Sequence, residues 1–389
     1  MYQAYAISYK SCCSARVPVT QSVITRVILM PIHSTSTKKL KTIQVFRGVA
    51  AMLVVLAHAD LIFNQNLNQD FLFKVFNFGG SGVDFFFVLS GFIILYVHQS
   101  DIGNKNKLKL FFIKRFTRIY PIYWVILTLK LSASLFFFYD PDTNQRSLGE
   151  IVKAFLLIPQ DRTILSSSFL GVSWTLSYEI FFYLVFGVLI FFKPKFSLPI
   201  ITILIVGTIL NFIGVFNIPK DSFLLKFIFD EHNLEFALGC LAAHLLLKKV
   251  IKFKYGIFLV SVGAFIYTLF AINEYYGFIE LSSVISFGIP STFLVIGSAS
   301  LEMKNLIKVP YILIHVGNAS YSIYLMHGFV INNLTKMLIK LNQPITQNLM
   351  LLNVFGVCIA IIAIIFGCVV YFYIEKPLLS VLKPRVATT

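Results

Sequence analysis

The sequence predicts an all-α, polytopic integral membrane protein with about ten transmembrane helices and both termini in the cytoplasm. Three observations carry this. Of the 389 residues, 57% are hydrophobic and 16% aromatic while only 13% are charged, against about a quarter charged in a soluble globular chain. Runs of about twenty apolar residues recur along the chain, the length that crosses about 30 Å of hydrocarbon. The net charge of +16 gathers in alternate loops, as retention of basic residues on the cytoplasmic side requires. That distribution accounts for the charge without nucleic acid.

Taken in order, residues 1–37 are polar and weakly apolar by turns and read as a poorly structured leader lacking a signal-peptide layout. Met30, followed by Pro31 and a Ser/Thr/Lys run, reads as the natural start, and 38–389 as one membrane-embedded domain. The expected spans are 43–63, 79–98, 119–139, 171–192, 196–216, 223–247, 255–273, 281–301, 311–335 and 349–374. The sixth is interrupted by Lys226, Asp230, Glu231 and Glu235. Residues 150–159 are too short to span and are expected to be interfacial or re-entrant.

The basic loops place Lys38, Lys39, Lys41, the 105–118 cluster, Lys193, Lys195, the 248–254 cluster, Lys304, Lys308 and Lys376 inside. Tyr120, Pro121 and Tyr123 read as an interfacial belt with a kink where the third span begins, and Glu375-Lys376-Pro377 as the end of the last helix. Cys12, Cys13, Cys240, Cys358 and Cys368 show neither metal-ligand spacing nor a disulfide framework. No metal is expected.

Ionisable groups inside spans cost roughly 3 kcal/mol each on insertion scales, so each is a functional candidate. Arg47 and His58 are eleven residues apart, which returns to nearly the same helical face about 16 Å further along the axis. They read either as a snorkelling cation with a core imidazole or as two ends of one functional stripe. The run Gly79-Gly80-Ser81-Gly82-Val83-Asp84 opens the second span with residues small enough for close helix approach. Asp84 and His58 lie at similar depth from the outer surface, so Asp84 is expected to orient His58 as a general base. Glu179 and His327 fall in the same outer layer by the same counting. At the inner face Arg115 and Arg118 share a helical face beside Arg47. They are either a topology signal or a phosphate grip. A proton-coupled relay through the same Asp, Glu and His groups is the alternative.

These residues together resemble the acyltransferase-3 family of integral membrane acyltransferases, especially its exopolysaccharide O-acetyltransferase branch. Arg47 with ten residues before His58 is similar to the family's first-helix signature, Gly79 to Phe92 to its glycine-rich segment, and Arg115 with Arg118 to its RxxR pair. Trp174 to Tyr183, with Thr175 at the Ser/Thr position, Tyr321 to His327, and Glu375-Lys376-Pro377 complete the likeness, which runs from about Ile43 to Pro377.

The resemblance implies a membrane O-acyltransferase of the bacterial inner membrane, surrounded by lipid. It would move an acyl group, acetyl by family default, from cytoplasmic acetyl-CoA or another acyl-CoA to a hydroxyl of an extracytoplasmic glycan or lipid-linked oligosaccharide. On this reading Arg47, Arg115 and Arg118 hold the CoA phosphates. His58, oriented by Asp84 or Glu179, deprotonates the acceptor hydroxyl or carries the acyl group itself, with His327 in the same catalytic layer. Activity should fall as pH drops through the imidazole range. The competing class is a proton-coupled transporter or flippase of a glycan or lipid precursor.

Overall fold

The computed structural model describes residues 38–136, 147–159, 170–216, 218–219, 222–341 and 348–382. The expected leader, the start at Met30, and Cys12 and Cys13 lie outside the described residues. Among the described residues every regular element is helical. In chain order these are α1 (Lys41–Leu67), α2 (Ser81–His98), α3 (Leu108–Phe136), α4 (Leu148–Leu156), α5 (Ser173–Phe191), α6 (Pro194–Phe212), α7 (Phe223–Ile228) and α8 (His232–Leu247). They continue with α9 (Gly256–Tyr276), α10 (Ile289–Met303), α11 (Tyr311–Leu341), α12 (Leu349–Val370) and α13 (Lys376–Leu382). One π-helical turn, Val284–Gly288, leads into α10 and another, Tyr371–Glu375, joins α12 to α13.

Seven of the described helical segments are long and apolar enough to cross a membrane: 41–67, 77–101, 173–191, 194–212, 253–276, 284–303 and 349–382. The other three expected spans fall on helices with more polar content. The third is α3, which begins eleven residues earlier than expected, so that Lys114, Arg115 and Arg118 lie inside the helix. The sixth is broken into α7 and α8. The break is held by side-chain amides: Asn233 Nδ2 donates to the Ile228 carbonyl at 2.9 Å and Asn211 Nδ2 to that of Phe229 at 2.9 Å. The ninth is the long α11.

Small residues set the packing. The most extensive contacts join α2 to α8, α1 to α11, α9 to α10 and α11 to α12. In the α2–α8 seam a Cβ on Gly91 would overlap the Phe236 carbonyl, and one on Gly239 the carbonyl of Val88. In the α1–α11 seam Gly48 faces Gly317, which lies against the Gln44 carbonyl. Within lipid, close approach of this kind supplies dispersion contacts where no hydrophobic effect drives association. The π-turn segment with α10, together with α2, forms the most enclosed part of the bundle, while α9 and α6 are the most exposed.

Polar side chains finish the helix ends. Glu302, near the C-terminus of α10, accepts from the Lys41 and Thr42 backbone N–H groups at 2.6 and 2.8 Å and from the Thr42 hydroxyl at 2.6 Å. It thereby satisfies the orphan donors at the start of α1. The segment expected as interfacial or re-entrant is the short α4, opened by a Ser147/Glu150 capping box. Its last carbonyls are taken by α3. Tyr123 donates to Ala154 at 2.7 Å, Trp124 to Phe155 at 2.8 Å and Tyr120 to Leu156 at 3.1 Å. Tyr123 is fully buried, so the belt expected at Tyr120 and Tyr123 is instead a clamp on α4.

Replacing Glu302 by Ala leaves the buried Thr42 N–H and the part-buried Lys41 N–H without their partner, at about 1–3 kcal/mol for the buried one. The detergent-solubilised variant is expected to melt several degrees below wild type, with the loss concentrated in earlier exchange of the first turn of α1 by hydrogen–deuterium exchange. An unchanged melting temperature would show that water replaces the carboxylate there.

Candidate active site

A cavity of about 190 Å³ opens between α1, α2, α3, α5 and α11, and its lining includes Arg47, Arg115, Arg118 and Glu179 together with Tyr183, Tyr321 and Tyr324. The three arginines expected to act together are therefore brought together, from helices far apart in sequence. Arg115 and Arg118, three residues apart on α3, project from one face. One stripe of α5, Thr175–Glu179–Tyr183, contributes a wall at four-residue spacing that runs about 12 Å along the helix axis.

Arg115 is held on two sides. Its Nη2 donates to His98 Nε2 at 2.6 Å, and His98 Nδ1 pairs with the Asp101 carboxylate at 2.8 Å. Its guanidinium lies 5.4 Å from the centre of the Tyr183 ring and 5.6 Å from that of Phe111, within cation–π range. Arg115 Nε finds no protein partner among the described residues. Arg47 donates to Gln44 Oε1 at 3.2 Å and feels Arg118 as a like charge, with Glu179 and Glu375 as opposite ones. The cavity thus sets three guanidinium groups against one lining carboxylate, Glu179, with Glu375 acting on the arginines from outside the lining, an arrangement suited to a polyanion.

His58 and His327 meet edge to face, with ring centres 4.9 Å apart. His58 Nδ1 lies 3.0 Å from the Val54 carbonyl and His327 Nδ1 3.3 Å from that of Ile323. Because a carbonyl oxygen only accepts, each Nδ1 carries the proton of the neutral ring and each Nε2 keeps a lone pair. His327 Nε2 is buried without a partner among the described residues. Two bare nitrogens cannot bond to each other, but either can accept from a hydroxyl placed between them.

The cavity lining does not include His58 or His327. Tyr324 is the residue the two regions share, lining the cavity while its ring lies 5.9 Å from His327 and 5.7 Å from Phe86. The Tyr324 hydroxyl is 2.9 Å from the Thr175 hydroxyl.

Two expected placements are corrected. Asp84 was expected to orient His58, but its partners are His232, at 3.8 Å, and Glu235. Gly82 brings α2 closest to α1, against the Ala50 carbonyl, and Asp84 lies about 200° further round the helix. It shares a face with Val88 and Gly91, which meet α8. Glu179 was expected in the same outer layer as His58. It instead accepts from the Tyr183 hydroxyl one turn along α5 and faces the arginines. The imidazole expected to be oriented by a carboxylate is oriented by a backbone carbonyl.

The sequence reading missed His98, Tyr183, Tyr324 and Glu375. Glu375, read as a helix end, is buried, accepts from Ser322 at 2.5 Å and acts on both Arg47 and Arg118. A carboxylate closing an apolar span was the available signal. His98 carried one too, as an imidazole at a helix end three residues before Asp101.

The family model described as an acyltransferase domain matches residues 40–373. Among curated proteins, the chain is 30% identical over 319 residues to the exopolysaccharide production protein ExoZ of Rhizobium meliloti, covering 78% of this chain and 90% of that one. It is 25% identical over 338 residues to the peptidoglycan O-acetyltransferase OatA of Listeria monocytogenes, covering 79% of this chain and 52% of that protein, about half its length. No solved structure matches significantly.

Since charge-assisted hydrogen bonds are worth about 1.5–3 kcal/mol each, Arg115→Ala and Arg118→Ala are each expected to weaken pyrophosphate binding roughly 10- to 100-fold by calorimetry in detergent. His98→Ala, which only releases the Arg115 fork, should lose less. Equal affinity in all three variants would remove the cavity as an anion site.

Proposed function

The chain belongs to the acyltransferase family whose domain covers residues 40–373, and from that premise we propose that it is a bacterial inner-membrane O-acyltransferase. It moves an acyl group, acetyl by family default, from cytoplasmic acyl-CoA to a hydroxyl of an extracytoplasmic or lipid-linked glycan. The relatives named for exopolysaccharide production and for peptidoglycan O-acetylation support the acceptor class. The observation that carries the reading is spatial: Tyr324 lines the guanidinium-lined cavity, and its ring lies 5.9 Å from that of His327, one of a pair of imidazoles in edge-to-face contact.

In this reading both termini and the arginine end of the cavity face the cytoplasm. Arg47, Arg115 and Arg118 hold the phosphates of the donor. The pantetheine arm runs along the α5 stripe from Tyr183 to Thr175, and the Tyr324–Thr175 hydrogen bond opens to admit the thioester. His58 Nε2 accepts the proton of the acceptor hydroxyl, whose oxygen attacks the thioester carbonyl. Collapse of the tetrahedral intermediate breaks the C–S bond, and the proton on His58 goes to the departing thiolate. The products are an ester and free CoA thiol, with no net proton change. The His327 ring, packed edge to face on His58, positions it for this transfer. A two-step variant places the acyl group on His58 Nε2 first and then on the acceptor, and acid-quench mass spectrometry of the protein after donor addition separates the two.

The test is the surface glycan. Cells lacking the gene and complemented with wild-type protein are expected to carry alkali-labile O-acyl groups. His58→Ala or His327→Ala should reduce these by about 10²- to 10⁴-fold, the usual contribution of acid–base catalysis, at equal abundance in the membrane. Normal acylation of residual glycan together with loss of export would replace this reading with a transporter.

A further inference from the structure

Asp84, His232 and Glu235 form a second cluster on the α2–α8 seam, each donating one nitrogen or oxygen, and all three atoms lie within 4.8 Å of one another. His232 Nδ1 is 3.0 Å from Glu235 Oε2 and 3.8 Å from Asp84 Oδ1. All three residues are buried, Glu235 completely. Among the described residues, His232 supplies every ion-pair contact that Asp84 and Glu235 make. Two carboxylates and one imidazole enclosed by a membrane bundle bring together more acceptor than donor atoms, and the positive ends of the α2 and α8 dipoles do not neutralise them.

We propose that this cluster binds a divalent first-row cation, zinc or manganese by its donor set of one imidazole and two carboxylates. A metal ion held at about 2.0–2.2 Å by each donor places the donors about 3–4 Å apart, close to the spacing already present. His232 and Glu235, three residues apart, share one face of α8, and Asp84 meets them across the close contact that Gly91 and Gly239 permit.

The surroundings fit a ligand set. Without metal, the His232 Nδ1–H donates to Glu235. On binding, the ring moves its one proton to Nε2 and offers Nδ1 to the cation. Asp230 Oδ1 stands 3.9 Å from Nε2, on the side where metal-bound imidazoles find a carboxylate that fixes the ring. Ser283 Oγ donates to the other Glu235 oxygen at 3.3 Å, from the residue that precedes the π turn. Gly288 closes that turn against the Glu235 side chain, where a Cβ would come within 3.1 Å, and π turns of this kind gather at functional sites. The rings of Phe87, Tyr178 and Trp174 surround His232, with centres 4.9, 5.5 and 5.6 Å away, and limit water access. Bound there, the cation ties α2 to α8 beside the α5 turn that carries Trp174 and Thr175. This site is independent of the acyl-transfer route proposed above.

The experiment uses the untagged full chain purified in detergent, stripped with dipicolinate, reloaded with zinc or manganese and freed of excess. Elemental mass spectrometry is expected to find one metal ion per chain, and the reloaded protein should melt above the stripped one. Asp84→Asn and Glu235→Gln should each lower the affinity at least about tenfold in a chelator competition, whereas His58→Ala, which removes the other imidazole pair, should keep its metal. X-ray absorption on the wild-type protein, which needs no variant to fold, should show a nitrogen/oxygen shell with a single imidazole. Stoichiometric metal retained by Glu235→Gln, a shell with two imidazoles, or no retained metal and no thermal shift after reloading would each overturn the proposal.

Discussion

The structure depends on how buried charge is balanced inside a bundle that faces lipid. Arg47, Arg115 and Arg118 meet Glu179 and Glu375 across three helices and a π turn, and no pair of these residues neutralises the set. A guanidinium in a low-dielectric interior costs several kcal/mol unless its donors are occupied. Here Gln44, His98 and the face of Tyr183 take up part of that capacity. The remaining positive charge and Arg115 Nε, unpartnered among the described residues, suit an incoming polyanion, so on the proposed reading the binding site is the incompletely balanced part of the core. At the end of α1, by contrast, Glu302 meets its donors fully and the result is structural.

Helix seams decide which way each charge faces, and this explains how the expected single layer of four titratable groups separates. Depth along a span can be counted from sequence, so the separation of Arg47 and His58 along one stripe of α1 was legible, and the structure sets Arg47 with the arginines and His58 against His327. Rotation about the axis requires knowing the neighbour. Gly82 against Ala50 turns Asp84 away from α1, and the close pairing of Gly91 with Phe236 turns it towards α8. The glycine-rich run was read as a packing seam or as a site. It is a seam on one face, and the face carrying Asp84 belongs to a different cluster.

The apolar spans were legible because hydropathy is local, and the helical class follows from it. Features that rest on distant partners were not. Tyr123 donates to Ala154, Ser322 to Glu375 and Arg115 to His98, and no local pattern marks any of these pairs. The start of α3 eluded the reading for a related reason. Its basic residues look like a loop on a hydropathy scale, yet they continue the helix because Arg115 and Arg118 find partners and a cavity inside the bundle. The break between α7 and α8 was announced by Lys226, Asp230 and Glu231, though not the amide donors that secure it.

The position of Tyr324 links the two halves of the site. A thioester is prone to hydrolysis, and a cavity open enough to admit a polyanion also admits water. On the proposed reading, imidazoles outside the cavity lining are kept away from that water until the donor arm arrives. Among the contacts that hold the ring is a hydrogen bond between two hydroxyls, Tyr324 to Thr175, beside a longer one from Tyr324 to the Val172 carbonyl. Such a bond is worth about 0.5–1.5 kcal/mol net, weak enough to be broken by contacts that the donor makes along the same α5 stripe. On the proposed reading Thr175 therefore sits where arrival of the arm and release of the ring are coupled, and a residue there without a hydroxyl would loosen the ring in the absence of donor.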